Sequence, residues 1–511
     1  TPLILALAHQ VLTKKNLLWI SLFAFTLSQQ LFTGSPQPVL LALMMVCIYA
    51  ILIRGSLARL TLGVALGVGL AAIQLLPSAE MLRESTSPGG FSPEEASYYS
   101  FPLIHLKTLI APFILGNPKF GTYPPFTTFD GSIFWENNLF VGILPIVLLV
   151  PGFMRKFFAV ALITSFLLML GQHSPLYLLY SVWPLNLFRV PSRFAWIFVI
   201  TLISLASTKL SKLSPRVTIL LIAVQTVWLM TTWWDYHAIQ PARIWLKPSP
   251  LLQTIDGPVR TIGSERIHNN YFLKDGWNGN LDQFQFLRNV PAPNSNLYWN
   301  IRQTDVYAGR FLKRPSLVES LLGSEITFSD AVATISAQGK KLLNLYHAAI
   351  VVSALPLSIQ EPLSTIQSTI SGTLSITAYR NPEALPRAYL ATQSILAPTL
   401  TKAAKILGTQ TVVHDEAYSI SEEGDGGSVE IKNEIPTRVT MHARVTAKKA
   451  ILVFGDTYYP GWQAMVDGKP KTIFPVNIKE RGVILSEGTH EIVFQYQPKS
   501  VLFGAWISGI T

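Results

Sequence analysis

Val217-Thr218-Ile219-Leu220-Leu221-Ile222-Ala223-Val224-Gln225-Thr226-Val227-Trp228-Leu229-Met230-Thr231-Thr232-Trp233-Trp234 is the last apolar run before the chain changes character. It carries no ionisable side chain, approaches the roughly 20 residues a bilayer core needs, and closes on a tryptophan pair of the kind that anchors helix ends at a membrane interface. Residues 1 to 234 hold 14 of the 40 Lys and Arg but only 6 of the 29 Asp and Glu. Subtraction leaves 26 basic and 23 acidic residues in 235 to 511, an ordinary soluble balance of +3. The formal charge of +11 therefore comes mostly from the apolar part, where basic residues mark cytoplasmic helix ends and not a nucleic-acid surface.

The whole chain points the same way. Of its 511 residues, 49% are hydrophobic and 14% charged, against roughly 25% charged in an average soluble protein, and the mean hydropathy is +0.35. A soluble single domain is excluded and nucleic acid is not an expected partner. The one cysteine, Cys47, lies in an apolar run, which rules out an intrachain disulfide or a cysteine metal cluster. The first residue is Thr1, and the chain closes on Val501-Leu502-Phe503-Gly504-Ala505-Trp506-Ile507, so the reading is of a fragment missing both ends, with residues 500–511 starting a further span.

Eight apolar segments are expected, at about 1–13, 17–33, 38–53, 60–77, 138–153, 157–171, 194–208 and 217–234. Lys14 and Lys15, Arg54 and Arg59, Arg155 and Lys156, then Lys209, Lys212 and Arg216 fall at every second connection, which makes those connections cytoplasmic. The others face outward. One of them, residues 78–137, holds all six acids of the apolar part, Glu80, Glu84, Glu94, Glu95, Asp130 and Glu136. Its aromatics, Phe91, Tyr98, Tyr99, Phe101, Phe120, Tyr123, Phe126, Phe129, Phe134 and Trp135, argue for order in so long a loop. Beyond Trp234 a mixed α/β region (235–384) precedes a small antiparallel β-sandwich (385–499). Period-two alternation in Arg438–Thr446 and Glu491–Tyr496 marks half-buried strands, and Asp467-Gly468 and Glu487-Gly488 read as hairpin turns.

Arg189 and Arg193 break the charge pattern by lying on an outward connection, four residues apart, a spacing that one helical turn brings to one face. Guanidinium groups at the membrane surface suit bidentate phosphate binding; headgroup anchoring and a structural ion pair are the plainer alternatives. A membrane transferase also needs a carboxylate as general base or metal ligand at the bilayer surface, and Glu80 and Glu136 stand at that height, although helix-capping charges would too. In Gly34-Ser35-Pro36-Gln37 only the Gln offers polar chemistry. Tyr458, Tyr459 and Trp462 could stack on a sugar ring or fill a β core. His414-Asp415-Glu416 lacks a partner at metal-ligand spacing, so no metal site is expected there. Few polar residues lie within the spans beyond Gln29, Gln30, Gln74 and Gln225, and no acid, which disfavours a proton-coupled sugar-lipid carrier.

Several strings together resemble the YfhO-like bacterial membrane proteins: Gly34-Ser35-Pro36-Gln37; Gln74-Leu75-Leu76-Pro77-Ser78-Ala79-Glu80; Glu136 with Phe140-Val141-Gly142-Ile143; Phe188-Arg189-Val190-Pro191-Ser192-Arg193-Phe194; Tyr379-Arg380-Asn381-Pro382 with Leu385-Pro386-Arg387-Ala388; and, most specific, Asp456-Thr457-Tyr458-Tyr459-Pro460-Gly461-Trp462-Gln463-Ala464-Met465-Val466-Asp467-Gly468. The resemblance implies a polytopic α-helical membrane domain similar to GT-C glycosyltransferases, followed by the extracytoplasmic α/β and β regions. It implies transfer of a sugar from a polyprenyl-phosphate donor to a cell-envelope glycopolymer such as a teichoic acid, in the bacterial cytoplasmic membrane. In that fold the key Asp lies in the first outward loop, which places it before Thr1. The cofactor stays open, a divalent cation being one option, and so does a non-catalytic role as a membrane-anchored carbohydrate-binding or envelope-assembly protein.

Overall fold

The computed structural model describes all residues except 1, 125–127, 129–132, 149–155, 264–275, 278–286, 292, 306–311, 330, 360–362, 372–373 and 409–410. Asp130, Arg155, Phe126 and Phe129 lie outside the described residues.

The apolar part folds as helices. Pro36–Ile53, Pro191–Leu210 and Pro215–Trp233 are each long and apolar enough to cross a membrane, and a fourth span is possible by length if Leu57–Leu70 and Ala72–Arg83, bent by 77° at their break, count as one. Pro2–Thr13, Leu17–Phe32, Lys156–Met169 and Lys499–Ile510 are shorter apolar helices. Pro215–Trp233 has a Ser214 cap and a proline in its first turn, and none of its residues is buried by the rest of the chain. Much of its apolar surface therefore needs an apolar surrounding, because protein packing covers little of it. Elsewhere small residues bring helices close. A Cβ at Gly63 would stand 2.9 Å from Phe23 Cδ1 and one at Gly67 2.9 Å from Leu27 Cδ2, so the helix Leu57–Leu70 packs on Leu17–Phe32 through a small-residue stripe.

The expected span at 138–153 is corrected over its described part. Only Leu144–Val147 is helical there, because Gly142 adopts φ +79 and breaks the run. Gln225, one of the few polar residues of the last helix, meets the backbone freed by that break: its Nε2 donates to the Val141 carbonyl at 2.5 Å, and its Oε1 accepts from the Leu144 amide at 3.4 Å. Arg59 reaches the carbonyls of Lys14 and, at 3.1 Å, Leu12, joining two of the expected basic connections at one end of the bundle.

The long acidic connection is ordered where it is described. The preceding helix runs on to Arg83, and short turns follow at Pro93–Ala96, Leu103–Leu109, Pro118–Phe120 and Phe134–Asn137. Its aromatics do the packing. Phe101 is fully buried, and Tyr123 and Phe134 join Tyr236 in a cluster with Phe113, Trp233 and Trp277. Thus the loop grips the end of the last span and the start of the region beyond it.

After residue 235 the structure becomes mixed and then mainly β. Val259–Ile262 pairs in parallel with Ile350–Ser353, which continues antiparallel to Leu374–Arg380 and Ser364–Ser371. Beyond them, nine strands form one sheet among the described residues, built on Arg438–Thr457 paired antiparallel with Glu480–Tyr496. The two predicted alternating segments lie within these longer strands. Asp467 and Gly468 form the expected hairpin turn, both with positive φ (+52 and +74), between Trp462–Val466 and Lys469–Lys471. Glu487-Gly488 does not turn the chain. It lies inside Glu480–Tyr496, beside a register shift between the pairs Val445 with Gly488 and Lys449 with Ser486. That irregularity switches parity, so Val439, Met441, Ala443 and Val445, then Ala450, Leu452 and Phe454, all enter one core.

Candidate functional site

Three separated parts of the chain meet where the helices end on the side of the acidic connection. Gln37 stands at the start of the helix Pro36–Ile53, Glu136 on the short helix Phe134–Asn137, and Arg193 in the 3-10 turn Pro191–Phe194. Arg193 holds Glu136 with one edge of its guanidinium, Nη2 to Oε1 at 2.8 Å and Nε to Oε1 and Oε2 at 3.1 and 3.3 Å. Its Nη1 donates to Gln37 Oε1 at 3.0 Å. Gln37 in turn donates from Nε2 to the Arg189 carbonyl at 3.1 Å. The Arg193 side chain is 41% exposed and that of Glu136 17%, so the pair borders solvent and does not sit in the core.

The predicted pairing of the arginines on one helical face is corrected. Val190, between them, has φ +69, a strained setting for a β-branched residue, and the 3-10 turn starts only at Pro191. Arg189 therefore turns away and lies over the Phe91 ring, 5.1 Å from its centroid. The backbone around them is stapled to the acidic connection: Ser192 N to Tyr99 O at 3.3 Å, Gln172 N to Ser100 Oγ at 2.9 Å and Phe91 N to Asn186 O at 2.7 Å.

Glu80 faces another neighbourhood. It and Glu84 lie against Tyr459, whose phenol burial and then the Glu80 carboxylate push up to about 12. Arg314 stacks over the Tyr458 ring at 5.7 Å and donates to the Ile478 carbonyl at 2.8 Å; burial lowers its pKa and the nearby Tyr458 and Glu84 oppose that. The Glu84 carbonyl accepts the Lys313 amide at 2.9 Å. Glu80 and Glu84 thus brace the helix Ala72–Arg83 against the β region.

Tyr458, Tyr459 and Trp462 line an open cleft of about 390 Å³ together with Gln463, Lys471 and Thr472. One face of Trp462 is taken by the Arg481 guanidinium, 3.5 Å from the ring centroid. Arg481 is buried, with its pKa drawn down to about 10 by burial against the pull of Asp456, to which it donates at 3.0 Å. The loop under it is strained: Asn477 and Ile478 have φ of +46 and +71, and the Lys479 amide donates to the Asn477 carbonyl at 2.9 Å across a γ-turn. Buried groups hold it there, with Asn477 Nδ2 donating to Glu480 Oε2 at 2.9 Å and Glu480 Oε1 meeting His347 Nε2 at 2.9 Å. Sequence reasoning missed Arg481 and Arg314. The available signal was Lys479-Glu480-Arg481, a charged run entering a strand that ought to be half buried.

Among the described residues no three His, Cys, Asp or Glu side chains converge to hold a metal ion. His414 bonds through Nδ1 to the Ala397 carbonyl at 2.8 Å.

Apolar helices long enough to span a bilayer, joined to a large β-sheet region, define a membrane-associated protein. Residues 425–508 match the family described as bacterial membrane protein YfhO, a stretch that takes in both long β-strands, the cleft hairpin and most of the terminal helix. Over those residues the chain is YfhO-like, as the resemblance implied. No curated protein and no solved structure matches it.

Proposed function

We propose that this chain is a multi-pass glycosyltransferase of the bacterial cytoplasmic membrane, moving a sugar from a polyprenyl-phosphate donor to a cell-envelope acceptor, such as a teichoic-acid-type polymer, on the outer face. The observation that carries the reading is the convergence of Gln37, Glu136 and Arg193, a carboxylate and a guanidinium side by side at the helix ends. In this reading Arg193 binds the donor phosphate, and Arg189, turned away over the Phe91 ring, is not part of that contact. Arg193 has two N–H donors left after its bonds to Glu136 and Gln37, enough to meet one phosphate edge. Glu136 takes the proton of the acceptor hydroxyl as that oxygen bonds to the anomeric carbon, and the polyprenyl phosphate leaves with the electron pair of the broken bond. Glu80 serves as a brace.

The test uses the full-length protein in proteoliposomes with a radiolabelled polyprenyl-phosphate sugar. Arg193→Ala is expected to abolish transfer and donor binding, and Glu136→Gln to lower turnover by ~100-fold or more while binding persists. Unchanged transfer in Arg193→Ala overturns the phosphate role. Unchanged transfer in Glu136→Gln overturns its role as the base. A second reading, a non-catalytic carbohydrate-binding or assembly protein, is favoured by the aromatic cleft at Tyr458–Ile473. It predicts glycan binding that Gln463→Ala and Lys471→Ala weaken and that Arg193→Ala leaves alone.

A further inference from the structure

The connection from Gly171 to Phe194 joins two apolar helices, yet it contains no Asp or Glu and folds only as short 3-10 turns. It is pinned from inside. Tyr180 is 2% exposed and donates its hydroxyl to the Leu168 carbonyl at 2.6 Å, and Asn186 donates to the Gly89 carbonyl at 3.0 Å. A segment held this firmly nevertheless turns four apolar side chains outward: Leu178 is 73% exposed, Leu179 42%, Val182 55% and Trp183 72%.

We propose that Tyr177–Trp183 is a membrane-interface anchor, with these four side chains inserted shallowly into the bilayer at the headgroup and acyl boundary. Continuity favours lipid as the occupant, since the two flanking helices carry exposed apolar residues, Ile163 (57%) and Trp196 (58%), of the kind a bilayer covers. Charge favours it as well: the connection carries no Asp or Glu to repel lipid phosphates, and its exposed cation Arg189 matches them. The depth follows from the backbone. Irregular backbone facing lipid is not tolerated inside the hydrocarbon, where its unpaired amides and carbonyls would lack partners, so this segment stops at the boundary, about 5–10 Å in. Ten residues after Trp183, Arg193 is thereby held near headgroup height. The inference does not rest on the transferase reading.

The experiment uses the full chain in nanodiscs of phosphatidylglycerol and phosphatidylethanolamine, with Cys47→Ala removing the native thiol. A nitroxide is placed at Leu178→Cys, at Val182→Cys, or at Lys469→Cys on the exposed β hairpin; all three side chains point away from the core, so folding is not at stake. Collision with oxygen, which concentrates in lipid, is compared with collision with a water-soluble nickel chelate. The expected oxygen-to-nickel ratio at 178 and 182 is at least fivefold that at 469. Equal ratios would place the segment in water. Shielding from both reagents would mean that protein, such as a second copy of the chain, covers the patch. Either result overturns the anchor.

Discussion

Arg193 shows how much one guanidinium can organise, because it ties together residues 37, 136 and 193, which the sequence separates by up to 156 positions. Lysine has one donor nitrogen where arginine has a fork of three, so Arg193→Lys cannot keep the two-nitrogen grip on Glu136 while Gln37 is held from a third nitrogen. It is expected to lose about 1–2 kcal/mol of stability, read as a lower unfolding midpoint in detergent, since a mostly covered carboxylate keeps only part of its hydrogen bonding. His105 supplies the pH dependence. It is 1% exposed and bonded through Nε2 to the Tyr123 hydroxyl at 2.8 Å, and burial lowers its pKa from 6.5 to about 4. Between those values the unfolded chain binds a proton that the folded chain refuses. Stability from this group is therefore present above pH 6.5 and lost as pH falls toward 4, by about 3 kcal/mol in all. Wild type should lose more thermal stability between pH 7 and 4.5 than His105→Gln, which keeps a partner for Tyr123 without titrating. Equal losses would remove His105 as the cause. The residue types at the candidate site were legible in sequence; their pairing was not. Spacing suggested that Arg189 and Arg193 act together, but the left-handed Val190 separates them, and no local pattern announces a backbone conformation that only tertiary bonds sustain.

At the scale of elements, the terminal helix Lys499–Ile510 decides how the β region attaches. It packs on Ala72–Arg83, where a Cβ at Gly504 would stand 2.6 Å from the Ala72 carbonyl oxygen. The 77° break between Leu57–Leu70 and Ala72–Arg83 releases backbone groups. Ser508 answers two of them, its Oγ donating to the Gly69 carbonyl at 3.2 Å and accepting from the Ile73 amide at 3.1 Å. Removing one hydrogen-bond partner in apolar surroundings costs about 1–3 kcal/mol. Hydrogen exchange at the Ile73 amide should accordingly quicken by about tenfold or more in Ser508→Ala, while amides in the core of Arg438–Thr457 keep their rates; an unchanged Ile73 rate would show that the hydroxyl does not hold the break. Alternation revealed the strands, and Asp467-Gly468 revealed its turn, because both signals are local. Glu487-Gly488 carries the same local signal, yet its partner strand continues past it and absorbs the irregularity as a register shift. The apolar run at 138–153 misled in the opposite way, since composition alone does not show that Gly142 interrupts a helix and that Gln225, more than 80 residues later, satisfies the interruption.

The whole molecule is arranged around two unlike ends of one helical bundle. At one end Arg59 caps the carbonyls of Leu12 and Lys14, and the last span begins beside Arg216. That span leads to Trp233, which meets Phe113 at 5.2 Å and Tyr236 at 5.0 Å in the aromatic cluster formed by the acidic connection and the region after residue 235. A helix with no fully buried residue, basic at its start and aromatic at its close, suits a bilayer. The split of charge at residue 234 is legible without side-chain geometry, because positive-inside bias acts on whole loops. It leads to a definite expectation for orientation. With Cys47→Ala as background, a cysteine at Lys469 on the β hairpin should react with a membrane-impermeant maleimide in intact cells, whereas one at Lys212, exposed between the last two spans, should react only after permeabilisation. Labelling of both sites in intact cells, or the reverse pattern, would overturn the orientation and with it the placing of Glu136 and Arg193 on the outer face.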